Sequence, residues 1–157
     1  MANFLTEHLQ IFWPLYEKVS ESYKTLQKKG YAIKRAAKRK AIQFLQGNAE
    51  NTSLPDASFD LVTVMWAFHE APLQGRDRII KEARRLLSPG GILAVVDISS
   101  DYVPSKTMLQ GEPYVQEYQQ NIHNQLQHIH GFKTPQFRSI VDNHLSMWTL
   151  TRSATVA

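Results

Sequence analysis

Phe59-Asp60-Leu61-Val62-Thr63-Val64-Met65-Trp66-Ala67-Phe68 and Ile92-Leu93-Ala94-Val95-Val96-Asp97-Ile98 are the two stretches that decide the fold. Both are nearly continuous apolar runs rich in β-branched residues, the pattern of strands covered on both faces in a parallel sheet. Between them, Ile79, Ile80, Ala83, Leu86 and Leu87 share one face of a helix over Arg78 to Leu87. Ser88-Pro89-Gly90-Gly91 ends that helix, because proline cannot continue it and glycine accepts positive φ. Strand, helix, turn and strand predict a right-handed βαβ unit.

Working outward, Val115, Tyr118, Ile122, Leu126 and Ile129 form a stripe along one long helix, which Pro113 can open and Gly131 can cap. The segment Ser99 to Gly111 before it reads as a loop. Phe137 to Val141 and Leu145 to Thr151 read as two strands joined through Asp142-Asn143-His144, an antiparallel hairpin. Upstream of Phe59, Asn48 to Ser58 is polar and carries a Pro55-Asp56 turn, and Ala41 to Gln46 is a short strand candidate. Phe4, Leu5, His8, Ile11, Phe12, Leu15, Tyr16, Val19 and Tyr23 recur at helical steps, so Phe4 to Leu26 is expected as an amphipathic helix bent near Pro14. A second helix is expected over Tyr31 to Lys40.

The chain has 157 residues, 43% apolar and 20% charged, which suits one soluble globular domain and excludes a disordered one. No apolar run is long enough to span a bilayer, and Met1 to Glu17 lacks the basic-then-apolar order of a signal peptide. A cytoplasmic location is therefore expected, with an organelle address left open. The chain has no cysteine, which removes disulfides, thiolate metal sites and cysteine nucleophiles. The formal charge is +4, and Lys24 to Lys40 holds eight basic residues with no acid between them. Without interleaved aromatic residues for base stacking, this stretch reads as a solvated helix face rather than a nucleic-acid surface. His123, His128 and His130 do not share a helix face at ligand spacing, so no metal site is read from them.

Gly47-Asn48-Ala49-Glu50, Leu54-Pro55-Asp56-Ala57-Ser58-Phe59-Asp60-Leu61-Val62, Phe68-His69-Glu70 and Glu82-Ala83-Arg84-Arg85-Leu86-Leu87-Ser88-Pro89-Gly90-Gly91 occur in that order. This ordered set resembles the class I S-adenosylmethionine-dependent methyltransferases, specifically the type 11 group related to quinone-biosynthesis methyltransferases. The resemblance runs from about Tyr31 to Arg152. It implies an α/β, Rossmann-like sheet of parallel strands with a C-terminal antiparallel hairpin. The implied division is an added helical segment over residues 1–30, a partial methyltransferase-like domain over 31–152 and a tail over 153–157.

The resemblance also implies roles. Asn48, with the backbone N–H of Ala49, stands where such enzymes receive the adenine of S-adenosylmethionine. Met65, Trp66, Ala67 and Phe68 stand where the end of the fourth strand lines the methionine part. His69 and Glu70 are then the candidate catalytic residues. Each has a plainer reading: Asn48 as a turn residue, Trp66 and Phe68 as core, His69 as a loop-end histidine and Asp97 as a strand-end cap.

Two family features have no counterpart in the sequence. No Gly-x-Gly lies upstream of Asn48, and Gln27-Lys28-Lys29-Gly30 stands where a ribose-binding carboxylate would end the second strand. The chain thus reads as a methyltransferase sheet without its first two strands. Either Ala41 to Gln46 pairs beside Leu61 to Phe68, or that edge stays open for self-association. Two functions follow: methyl transfer from S-adenosylmethionine to a small or lipid-like acceptor, or a non-catalytic remnant acting as a binding or dimerising module.

Overall fold

The computed structural model describes residues 9–10, 45 and 47–154. Their elements are β1 (Leu9–Gln10), β2 (Phe59–Met65), α1 (Leu73–Leu86), β3 (Leu87–Ile98), α2 (Lys106–Gly111), α3 (Val115–Gln127), β4 (Gln136–Val141) and β5 (Leu145–Thr151). One sheet runs in the order β1-β2-β3-β5-β4. β1, β2 and β3 are parallel, whereas β5 is antiparallel to β3 and to β4. The parallel pair joined by a helix and the terminal hairpin both follow the sequence reading.

Register explains why these residues form one sheet. Val62 pairs with Leu93 and Leu93 with Leu150, while Val64 pairs with Val95 and Val95 with Trp148. These two rows run across three strands on one face, and all six side chains are buried. Ile79, Ile80, Ala83 and Leu86 of α1 join the same core, as do Val115, Tyr118, Ile122 and Leu126 of α3. Asp97 lies two residues beyond Val95, so it projects from the core face at the carboxyl end of β3, fully buried.

Several expectations need correction. β2 is not covered on both faces: Val62 and Val64 are buried, but Met65 and, on β3, Ile92 are about two-fifths exposed on the opposite face. β2 also stops at Met65, because Trp66 turns into the left-handed region at φ 54. α1 begins at Leu73 rather than Arg78, its first turn donating a hydrogen bond outside the helix, from Leu73 N to Glu117 Oε1 at 2.9 Å. Ser88-Pro89-Gly90-Gly91 lies within β3 as a bulged start. Phe59 pairs with Leu87 and Leu61 with Ile92, and Gly90 has φ 84. The Ser99 to Gly111 segment contains the short helix α2, capped by the Ser105 hydroxyl accepting from Met108 N at 3.1 Å. α3 ends at Gln127, before Gly131.

The largest correction lies at the N-terminus. Leu9–Gln10 is extended and pairs with Val62 and Thr63, so the helix expected over Phe4 to Leu26 does not hold at these two residues. Periodicity gave way to the unpaired ladder of β2, whose N–H and C=O groups take a strand partner in preference to a helix face. The same pairing bears on the question of the β2 edge, since Leu9–Gln10 lies beside Val62 and Thr63. Leu45 is not in a strand and is exposed. The rest of the expected N-terminal helix, the helix over Tyr31 to Lys40, the basic stretch and most of the Ala41 to Gln46 candidate lie outside the described residues.

Candidate functional site

The carboxyl ends of parallel strands are where open α/β sheets bind ligands. At this edge the chain leaves β2 through Trp66, whose N–H still donates to Val96 O at 3.0 Å. The left-handed turn then aims three successive N–H groups at Asp97 Oδ2: Ala67 at 3.2 Å, Phe68 at 2.8 Å and His69 at 3.4 Å. Converging amides of this kind hold an anion. Asp97 Oδ1 accepts from Ile98 N at 2.8 Å and bonds His69 Nδ1. Asp97 thereby fixes both the backbone of the loop and the direction of the His69 ring.

The other ring nitrogen, His69 Nε2, faces Glu70 Oε1 at 3.8 Å and Glu112 Oε2 at 3.7 Å. Burial, the largest influence on His69, opposes its charge. The Asp97 hydrogen bond and the charges of Asp97, Glu112 and Glu70 together overcome it, and the pKa is raised. Glu70 is raised as well, chiefly by burial. Trp66 and Tyr118 flank the ring edge-on, at 6.5 and 6.3 Å between centroids. The Tyr118 hydroxyl donates to Ile98 O at 2.8 Å, which ties α3 to the same strand end.

Arg76 braces this edge from below and is fully buried. It donates to Ala71 O at 2.5 Å, to Phe68 O at 3.4 Å and to Gln125 Oε1 at 2.8 Å. It also lies 3.8 Å from Glu117 and over the Tyr118 ring. One guanidinium thus joins the His69 loop, α1 and α3, at the cost of a pKa lowered by burial.

The residues expected at the cofactor side are less uniform. Asn48 is exposed and its Oδ1 accepts Glu50 N at 2.9 Å, the geometry of a self-closing turn. Ala49 is buried in the core. Glu50 pairs with Arg78 at 2.6 Å, which sets this turn beside the first half of α1, at the same end as the His69 loop. Met65 and Trp66 are exposed, whereas Ala67 and Phe68 are buried. His69 is buried and Glu70 half-buried, and the two are brought to Asp97 and Glu112.

Sequence reasoning missed Asp97, Glu112 and Arg76 as parts of this edge. Asp97 left a signal, an acid closing an apolar strand at its ligand-binding end. Glu112 and Arg76 left none, since they meet the loop only through the packing of α1 and α3.

Residues 19–95 match the type 11 family described as Methyltransferase domain. A ubiquinone/menaquinone biosynthesis C-methyltransferase of Hahella chejuensis is 40% identical over 63 residues, 40% of this chain and 24% of that protein. A demethylmenaquinone methyltransferase of Listeria welshimeri is 35% identical over 63 residues, 40% of this chain and 26% of that protein. The chain thus spans about a quarter of the length of the curated relatives it matches.

Among solved structures, a Pyrococcus horikoshii protein superposes with TM-score 0.57 at 17% identity, over 86% of this chain and 69% of that one. The [4+2]-cyclase SpnF also gives 0.57, at 16% identity, over 79% and 62%. A S-adenosylmethionine-dependent methyltransferase from Aquifex aeolicus gives 0.54 at 21%, over 78% and 62%. At these identities the structural likeness shows the fold alone. Residues 19–95 thus resemble the Methyltransferase domain family, the parallel β2-α1-β3 unit with its terminal hairpin shares the fold of these solved structures, and the sequence carries no Gly-x-Gly upstream of Asn48.

Proposed function

We propose that the protein transfers a methyl group from S-adenosylmethionine to a small or lipid-like acceptor, with His69 as proton acceptor and Asp97 as the residue that positions it. The observation that carries this reading is the His69 Nδ1–Asp97 bond, which directs Nε2 away from Asp97 and toward the half-buried Glu70 and Glu112. A base needs one free nitrogen in a fixed direction, and its neighbours raise its proton affinity. The quinone-biosynthesis names of the relatives suggest an aromatic acceptor with an acidic hydroxyl.

The residues present fit two ends of the cofactor. The Asn48 side-chain amide can meet adenine, and exposed Met65 and Trp66 offer an apolar wall for the methionine part. When bound, the group supplies an electrophilic methyl on sulfonium. His69 Nε2 takes the acceptor's proton, Asp97 keeps the ring in register, and Arg76 holds the loop so that these groups stay aligned.

Methyl transfer from labelled S-adenosylmethionine to a panel of phenolic and quinol acceptors tests this reading. His69→Gln is expected to lower the rate on the order of 100-fold or more, with Kd for the cofactor unchanged. Equal rates in the two proteins would remove His69 from the chemistry.

A second reading, a non-catalytic module that binds or dimerises, is favoured by the outer strand. Every residue of β4 is exposed, including the apolar Phe137, Ile140 and Val141. A [4+2]-cyclase on the same fold underlines that this sheet does not dictate one reaction.

A further inference from the structure

His69, Glu70 and Glu112 each present one ligand atom, and the three atoms lie within 4.8 Å of one another. We infer that they form a divalent transition-metal site whose open position takes an oxygen of the acceptor, deepening the reading above and resting on it only for what binds there.

The imidazole is already set for ligation. Asp97 holds Nδ1, so the neutral ring carries its proton there and leaves the Nε2 lone pair directed at the two glutamates. A carboxylate on the far nitrogen is the usual way a metal-binding histidine is fixed in tautomer and orientation. Asp97 is itself anchored by four backbone N–H groups, which makes it a rigid support.

The spacing agrees. Nε2 stands 3.7 and 3.8 Å from the two carboxylate oxygens, too far for hydrogen bonds. Ligands about 2.0–2.2 Å from a shared ion lie roughly 3 to 4 Å apart, so a small contraction suffices. Glu112 Oε2 is buried and has no hydrogen-bond partner, and a buried carboxylate oxygen without a partner is unfavourable unless a cation meets it. The His69 side chain is only 7% exposed, so its free nitrogen is aimed into the cluster from the core side.

Charge points the same way. Asp97, Glu70 and Glu112 bring three carboxylates to one imidazole. Arg76, the buried cation below them, is committed to Ala71, Phe68, Gln125 and Glu117. One nitrogen and two oxygens suit Zn²⁺ or Mn²⁺ and leave coordination positions for a ligand oxygen. An ion here takes the Nε2 lone pair that the base would use; it would lower the pKa of the bound hydroxyl, whose proton leaves to solvent rather than to His69.

Calorimetric titration of the full chain, stripped with chelator, against ZnCl2 and separately MnCl2 tests the site without any cofactor. One equivalent of at least one ion is expected to bind saturably. Glu112→Gln and Glu70→Gln should each weaken that binding tenfold or more, while Asp60→Asn, at the exposed amino end of β2, leaves it unchanged. Glu70 is half-exposed, so Glu70→Gln carries the test should Glu112→Gln not fold. No saturable binding of either ion up to millimolar concentration, or wild-type affinity retained in both glutamine variants, overturns the site. Methyl transfer in a protein that binds neither ion would sink this inference alone, and metal binding without transfer would sink only the reading above.

Discussion

At the scale of single residues, two buried charged groups organise opposite ends of α1, and each makes a distinct prediction. Arg76 replaces what would otherwise be three separate contacts between the His69 loop, α1 and α3. Arg76→Met keeps much of the volume but leaves Ala71 O, Gln125 and Glu117 without their donor. Removing one partner of a buried charged network costs about 3–5 kcal/mol, and urea unfolding should register a loss of that order. A loss under 0.5 kcal/mol would show that the guanidinium does not hold the edge together. At the other end, Glu82 is buried and bonded to Arg85 at 2.7 Å and to Thr52 N at 2.7 Å. The Arg85 hydrogen bond first, then the Thr52 bonds, depress its pKa from 4.5 to about 2. A depressed carboxylate stabilises the fold above its unfolded pKa and loses that contribution as pH falls through its folded value. Wild-type stability is therefore expected to fall between pH 4.5 and 2 with a slope that Glu82→Gln lacks, which acid-titrated unfolding followed by circular dichroism can read.

At the scale of elements, the turn between α1 and β3 is where sequence and structure part most instructively. Pro89-Gly90-Gly91 announces a chain break, and its chemistry is used, but as a bulge in a strand rather than a loop between elements. Gly91 is the tight point: a Cβ there would meet Ser88 O at 2.9 Å and Asp60 O at 3.2 Å, both backbone atoms that cannot rotate away. Gly91→Ala is expected to cost about 1–3 kcal/mol by overpacking, measured as a lower Tm, whereas Gly47→Ala, with nothing near its Cβ, should change stability far less. The strands β3 and β5 and the stripe of α3 were legible because burial imposes periods of two and 3.6 on their side chains. α2 was not, since it buries nothing and is defined by its Ser105 cap. The extended Leu9–Gln10 was not legible either, because its state is decided by Val62 and Thr63, more than fifty positions away. The candidate site divides in the same way: His69 and Glu70 came from an ordered motif, whereas Asp97, Glu112 and Arg76 are assembled by packing across elements.

At the scale of the whole molecule, the sheet order β1-β2-β3-β5-β4 puts the parallel strands at one side and a bare antiparallel strand at the other. Among the described residues no helix is long and apolar enough to cross a membrane. Phe137, Ile140 and Val141 on β4 give the second reading its test: if this strand mediates association, Ile140→Lys should convert a concentration-dependent dimer to monomer in sedimentation velocity, and a monomer at every concentration would remove that reading. The methyltransferase reading rests instead on the carboxyl ends of β2 and β3, where Met65, Trp66 and the His69–Asp97 pair lie at one edge of the sheet. Because the sequence carries no Gly-x-Gly upstream of Asn48, occupancy by the cofactor is the step on which all further chemistry depends. Calorimetric titration of the full chain with S-adenosylmethionine and with its demethylated product measures it directly: the account predicts saturable binding of both, weakened by Trp66→Ala, whereas no detectable heat at millimolar ligand would contradict it.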